Sequence, residues 1–244
     1  MVSAAALAFR FRVFIFVLLY VLGFLPPWDF ASASRGTLWL TASTLLARTG
    51  WVSLGPATLA ATLAALACLA AGAGLRVWGT AYLGSGVMRD AALHGEGLVA
   101  GGPYRHVRNP LYLGAWLLAL GTSILMPPDG AGFFLPAFSI VVFLLITTEE
   151  RFLSAKLGDA YQQYRRLVPR WLPRITAGTG ASTERPHWAQ AVLAETYPIA
   201  FTLCFAVLAW RYNARVLVQC LLICYGASLV TRALIRKPTE ATLC

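Results

Sequence analysis

The chain has 244 residues, of which 58% are hydrophobic and only 12% are charged. Soluble domains carry about 25% charged residues, so this composition excludes an ordinary soluble domain and favours an integral membrane protein built as one helical bundle. The formal net charge of +10 would suit a nucleic-acid-binding protein, but the basic residues cluster between apolar runs. That pattern favours loops that face an anionic membrane leaflet, with no nucleic-acid partner.

Apolar segments near the ~20 residues that a bilayer requires predict an all-α polytopic fold with about six transmembrane helices. In chain order they occupy about 8–25, 55–77, 110–126, 131–148, 189–210 and 214–235. The first resembles a signal peptide, but Pro26 and Pro27 follow it where a cleavage site would have small residues. We therefore expect an uncleaved helix. The more polar region 29–50 is predicted to form a surface or re-entrant helix.

Loop charge predicts the orientation of these spans. Segments 76–109 and 151–185 are rich in arginine, whereas the turn 127–130 has no basic residue. The positive-inside tendency places both basic loops and both termini in the cytoplasm. We divide the chain into N-terminal helices (1–97), a core that carries the motifs (98–175) and a C-terminal two-helix extension (176–244).

The stretch LVAGGPYRHVRNPLYLG, residues 98–114, is the strongest candidate for a functional site. A glycine turn and two arginines lead into an apolar helix, for which Asn109 is a favourable N-cap and Pro110 a favourable first residue. The stretch could be only a basic anchor beside the membrane. Alternatively, a helix start, an arginine side chain and exposed backbone amides could form an anion site.

Two carboxylates, Glu149 and Glu150, close the fourth predicted span beside the beginning of the third. Anions are disfavoured at helix C-termini, so this pair needs compensation. Arg151 alone could provide it, or a ligand that carries a positive charge and a diol. Glu195 lies within the fifth predicted span, where a carboxylate is costly and often functional, although it could also reach the membrane interface.

The segment 157–173 has apolar residues at helical spacing, among them Tyr161, Tyr164 and Val168. It is predicted to be a basic amphipathic helix that lies on the membrane or folds back over the bundle, and the residues alone favour the membrane surface. The three histidines are too scattered to predict a metal site.

In this order, these pieces resemble the isoprenylcysteine carboxyl methyltransferase and phospholipid methyltransferase superfamily of integral-membrane enzymes. The resemblance covers roughly 98–175 and rests on Gly102-Pro103-Tyr104, Arg108-Asn109-Pro110, Tyr112, Gly114, Glu149-Glu150, Leu157-Gly158, Tyr161, Tyr164 and Val168-Pro169. It implies an S-adenosylmethionine-dependent O- or N-methyltransferase with a cytoplasmic site, acting on a lipid, isoprenoid or other membrane-soluble molecule. The alternative from another class is a transporter or scaffold whose basic clusters are interfacial anchors.

The resemblance also implies roles for individual residues. The catalytic residues would be Arg108, Asn109 and Glu150. The cofactor-binding residues would be Gly102, Pro103, Tyr104, Arg108, Asn109, Tyr112, Glu149 and Glu150. An arginine suits the carboxylate of the cofactor, and carboxylates suit its ammonium and ribose diol. Asn109 stands where the family has a histidine, and the arginine expected before the acidic pair is missing from 145–148, which argues against a carboxyl acceptor.

Overall fold

The computed structural model describes residues 11–28, 36–83, 100–179 and 185–211, with isolated positions at 219, 223, 226 and 230. The described residues form an all-α membrane protein, as predicted. Its elements in chain order are α1 (Arg12–Phe24), α2 (Leu38–Arg48), α3 (Leu54–Leu83), a 3-10 turn (Gly102–Arg105), α4 (Pro110–Ser123), α5 (Pro128–Leu167), α6 (Trp188–Ala194) and α7 (Thr196–Arg211).

By length and composition, two of the described helices, α3 and α5, can cross a membrane. The pair α6–α7, bent by 66°, could form a third span. The helices of the first and third predicted spans, α1 and α4, have 13 and 14 residues. Almost all of the sixth predicted span lies outside the described residues, so the count of six stays a prediction.

The helices α3 and α4 cross closely because glycines face each other. A Cβ atom on Gly72 would lie 2.7 Å from the Gly114 carbonyl oxygen, and one on Gly114 would lie 2.8 Å from the Gly72 carbonyl oxygen. Small residues allow such backbone contact between helices in lipid. The first turns of α4 are thereby held against the second half of α3.

The helix α5 is longer than either segment predicted within it. It spans 40 residues, but a kink at Gly158 divides it into two helical segments. Its apolar first half matches the fourth predicted span, and its polar second half begins at the acidic pair. Gly158 bends the helix with φ 55° and ψ −130°, a conformation that favours glycine. The amphipathic helix predicted over 157–173 is thus the segment after this kink, and it ends at Leu167 rather than at 173.

The other end of the hairpin is closed by α1 and α2. The amides of Leu38 and Trp39 donate to the carbonyls of Met126 and Ile124 at 2.7 and 2.8 Å, and so satisfy backbone groups just beyond the end of α4. The helix α2 lies in the second half of the region 29–50, where a surface or re-entrant helix was predicted.

Candidate functional site

The loop before α4 is paired with the segment that follows α5. The Arg108 amide donates to the Pro169 carbonyl at 2.9 Å, and the Arg174 amide donates to the His106 carbonyl at 3.0 Å. The two motifs that the sequence presents about 60 residues apart therefore form one structural unit. This unit lies at the end of the bundle where α3 ends, α4 begins and α5 becomes polar.

The tyrosine face of α5 packs on this loop. Tyr161, Tyr164 and Val168 are buried, and the Tyr164 hydroxyl donates to the Tyr104 carbonyl at 2.7 Å. The prediction that this face lies on the membrane surface is wrong, because protein covers it, and the folded-back alternative is confirmed. Tyr104 is buried too: burial, and secondarily the nearby Glu149 carboxylate, raise the pKa of its phenol well above the usual value.

Glu150 is the centre of the site, with a side chain only 4% exposed. Its Oε2 accepts from Arg170 Nη2 at 2.6 Å and from Arg170 Nε at 3.0 Å. Its Oε1 accepts from Asn109 Nδ2 at 3.2 Å and lies 3.3 Å from Arg108 Nη1. One carboxylate thus holds two arginines and an amide, and both of its oxygens are engaged by the protein.

Asn109 occupies the N-cap position of α4, and Pro110 is the first helical residue, as predicted. The Asn109 side chain, however, makes no capping hydrogen bond. Its Nδ2 donates to Glu150 Oε1 and, at 3.1 Å, to the Arg170 carbonyl. The prediction that Asn109 occupies the N-cap position is therefore confirmed, but its side chain does not cap the helix. It joins the loop to α5 and to the segment after α5.

Arg108 carries the least satisfied polar group of the site. Its side chain is 9% exposed. Its Nε has no hydrogen-bond acceptor among the described residues, and its Nη1 has only the ion pair with Glu150 Oε1 at 3.3 Å. Buried donors of this kind are costly and are usually satisfied in native proteins. A buried guanidinium whose Nε has no acceptor is suited to a ligand that brings an anionic oxygen.

The neighbouring carboxylate, Glu149, has different partners. Consecutive helix residues point roughly 100° apart, so Glu149 faces α4 and α1 while Glu150 faces the loop. Glu149 lies close to the side chain of Tyr112 and within the field of Arg12. The acidic pair is therefore compensated by several arginines and a phenol; Arg151 alone does not provide the compensation.

The glycine turn has a steric role at Gly102. Its φ of +53° favours glycine, and a Cβ atom there would lie 2.3 Å from the ring of Tyr82. The amides of Tyr104, His106 and Val107 already donate to backbone carbonyls within the turn. Anion recognition by exposed amides is thus not available at these three positions.

A cavity of about 590 Å³ adjoins Glu150, within the range of ~300–1,000 Å³ that is usual for small-molecule sites. Its lining includes Arg151, Ser154, Arg165 and Arg170. None of these four was among the predicted site residues. Arg170 follows the matched Val168-Pro169 directly, which was the available signal, but its partner becomes visible only in the fold.

Part of the chain is similar in sequence to known methyltransferases. The sequence profile of the phospholipid methyltransferase family matches residues 60–160. A protein-S-isoprenylcysteine O-methyltransferase of Schizosaccharomyces pombe is 42% identical over 84 residues, which cover 32% of this chain and 34% of that protein. The methanethiol S-methyltransferase 2 of Bradyrhizobium diazoefficiens is 42% identical over 76 residues, which cover 30% of this chain and 28% of that protein. The chain thus matches about a third of the length of these curated relatives. No solved structure matches it.

Proposed function

We infer that this protein, whose residues 60–160 match the phospholipid methyltransferase family, transfers a methyl group from S-adenosylmethionine to a lipid or another membrane-soluble molecule. The observation that carries the proposal is the buried Arg108 guanidinium. Its Nε has no hydrogen-bond acceptor among the described residues, and Arg108 lies within the motif on which the resemblance rests.

The residues present suit S-adenosylmethionine. Arg108 would bind its carboxylate, and Glu149 would address its ammonium or its ribose diol. The cavity beside Glu150 has the volume of a small-molecule site. Of the predicted site residues, Glu150 lines it and Arg108 and Glu149 do not. When bound, the cofactor supplies a methyl group activated by attachment to a sulfonium.

Glu150 would act by holding other residues in place. Because Arg170, Asn109 and Arg108 already surround its oxygens, its role in this proposal is to fix the loop side chains at the site. Asn109 would likewise act as the link between the loop and α5. A rigid support of this kind contributes to catalysis when reacting groups must be held about 3–3.5 Å apart.

The position of the site suits an apolar acceptor. The apolar half of α5 ends just before the acidic pair, so an acceptor dissolved in the bilayer would reach the polar end of the bundle without crossing water. Exclusion of water from the site would also favour methyl transfer, because the positive charge of the sulfonium is lost in that step. The arginines of 151–185 support a cytoplasmic orientation, and the six-span topology is compatible with it.

The acceptor is proposed to carry a neutral nucleophile. The printed names of the two relatives describe methylation of a protein isoprenylcysteine and of methanethiol. In this chain no arginine precedes the acidic pair within 145–148, and Arg170 is committed to Glu150. These features disfavour a carboxylate acceptor and favour an amine, hydroxyl or thiol on an apolar molecule.

Transfer of a labelled methyl group tests this proposal. Membranes that contain the protein are incubated with methyl-labelled S-adenosylmethionine, and extracted lipids and other apolar molecules are analysed for label. We expect label in a lipid-soluble product, and a loss of at least about tenfold in membranes with equal amounts of Arg108→Ala. No labelled product, or equal labelling by the variant, would overturn the proposal.

A further inference from the structure

Glu195 is a buried carboxylate outside the site described above. It lies at the 66° bend between α6 and α7, and it is 1% exposed. Its Oε2 accepts from Arg76 Nε at 2.7 Å, and its Oε1 accepts from Arg76 Nη2 at 3.0 Å and from the Thr80 hydroxyl at 2.8 Å. Such two-pronged pairs are the strongest and most directional of protein ion pairs. The alternative that Glu195 reaches the membrane interface is wrong.

The same arginine is attached to the beginning of α4. Arg76 Nη1 donates to the Leu111 carbonyl at 3.3 Å, and its Cγ lies where a side chain on Gly114 would be. Leu111 is only two residues beyond Asn109, the last residue of the loop before α4. A single guanidinium therefore joins α3, the first turn of α4 and the bend of the C-terminal helices.

A second attachment connects the C-terminal helices to this end of the bundle. The His187 amide, at the start of α6, donates to the Ala81 carbonyl in the last turn of α3 at 2.8 Å. The buried phenol of Tyr104 lies within the fields of both Arg76 and Glu195. The segment that carries α6 and α7 thus contacts α3, which supports the loop, at more than one point.

The residues matched by the family profile include one partner of the Arg76–Glu195 ion pair and exclude the other. Arg76 lies inside the matched residues 60–160, and Glu195 lies outside them. We propose that Glu195 is a positioning residue: by clamping Arg76 it fixes the first turn of α4, and with it Arg108 and Asn109. The C-terminal helix pair is then part of the support of the methyltransferase site. The consequence for cofactor binding rests on the proposed function, whereas the mechanical coupling does not.

Hydrogen exchange and cofactor binding test this coupling in the full-length protein in detergent. Glu195→Gln keeps the side-chain volume and removes the charge that clamps Arg76. We expect amides in peptides covering 102–113 to exchange about tenfold faster, and the affinity for S-adenosylmethionine to fall by about fivefold or more. Thr80→Val, which removes one hydroxyl donor, should change exchange and affinity in the same direction by smaller amounts. This variant replaces Glu195→Gln in the test if Glu195→Gln does not fold.

Asp159→Asn is the matched control, because it removes an exposed carboxylate and should alter neither measurement. The proposal is overturned if Glu195→Gln shifts the unfolding temperature but leaves amide exchange in 102–113 and the affinity for S-adenosylmethionine as in the wild type. Glu195 would then only stabilise the packing of the helices. If the wild type binds no S-adenosylmethionine, the proposed function fails, and exchange in 102–113 still decides whether Glu195 controls the loop.

Discussion

At the scale of residues, one carboxylate organises the site. Glu150 is surrounded by Arg170, Arg108 and Asn109, so two cations lie close together around a single anion. Removal of that anion would leave like charges facing each other in a largely buried place. The arrangement also explains why Glu149 and Glu150, although adjacent in sequence, have separate roles.

The first prediction concerns this buried charge. Glu150→Gln should lower the free energy of unfolding by about 3 kcal/mol, near the low end for a broken buried pair, because Arg170 is one-third exposed and partly screened by solvent. Thermal unfolding in detergent measures the change. Asp159→Asn removes an exposed carboxylate from the same helix, and an equal effect of both variants would contradict the central role of Glu150.

The second prediction concerns the side chain of Asn109, which could either cap α4 or join the loop to α5. The two roles predict different effects of a substitution. Asn and Asp are about equally good N-caps, so Asn109→Asp should be harmless if the side chain only capped α4. In the structure Nδ2 donates to Glu150 and to the Arg170 carbonyl. We therefore expect Asn109→Asp to destabilise the protein by about 1–3 kcal/mol. An unchanged unfolding temperature would favour the capping role.

At the scale of elements, the crossing of α3 and α4 places the loop. The backbones touch at Gly72 and Gly114, and this contact holds Arg76 of α3 over the first turn of α4. The abundance of small residues in the second predicted span indicated close packing there. Which glycine is at the contact could not be read from the sequence, since Gly72 and Gly74 look alike in it.

These two glycines provide a matched pair for the third prediction. A Cβ on Gly72 would lie 2.7 Å from a backbone oxygen, whereas one on Gly74 meets no described atom within 4 Å. Gly72→Ala should destabilise the protein by about 1–3 kcal/mol, and Gly74→Ala should be neutral or stabilising by up to ~1 kcal/mol, because alanine is the better helix former. Thermal unfolding of both variants measures the difference. Similar shifts would show that α3 and α4 do not touch as described.

At the scale of the whole molecule, the sequence predicted what depends on local pattern. Apolar runs indicated the helices, Asn109-Pro110 marked the start of α4, and the order of the motifs indicated the family. It did not predict what depends on contacts between distant segments. Arg170 was missed because its partner Glu150 is 20 residues away.

The same reason applies to Glu195, which the sequence presented as an isolated carboxylate. Its partner Arg76 precedes it by 119 residues, and only the fold brings them together. The loop, the segment after α5 and the bend of the C-terminal helices all meet at one end of the bundle. We propose that these three distant parts of the chain support one candidate cofactor site.

Calorimetry of S-adenosylmethionine binding tests this conclusion most directly. We expect the purified protein to bind the cofactor with a dissociation constant in the micromolar range. Arg108→Ala should weaken binding by at least about tenfold, because it removes a charged partner of the ligand. Arg166→Ala, which removes an exposed arginine of α5, should bind as the wild type does. No binding by the wild type in two detergents, or equal binding by Arg108→Ala, would contradict the assignment.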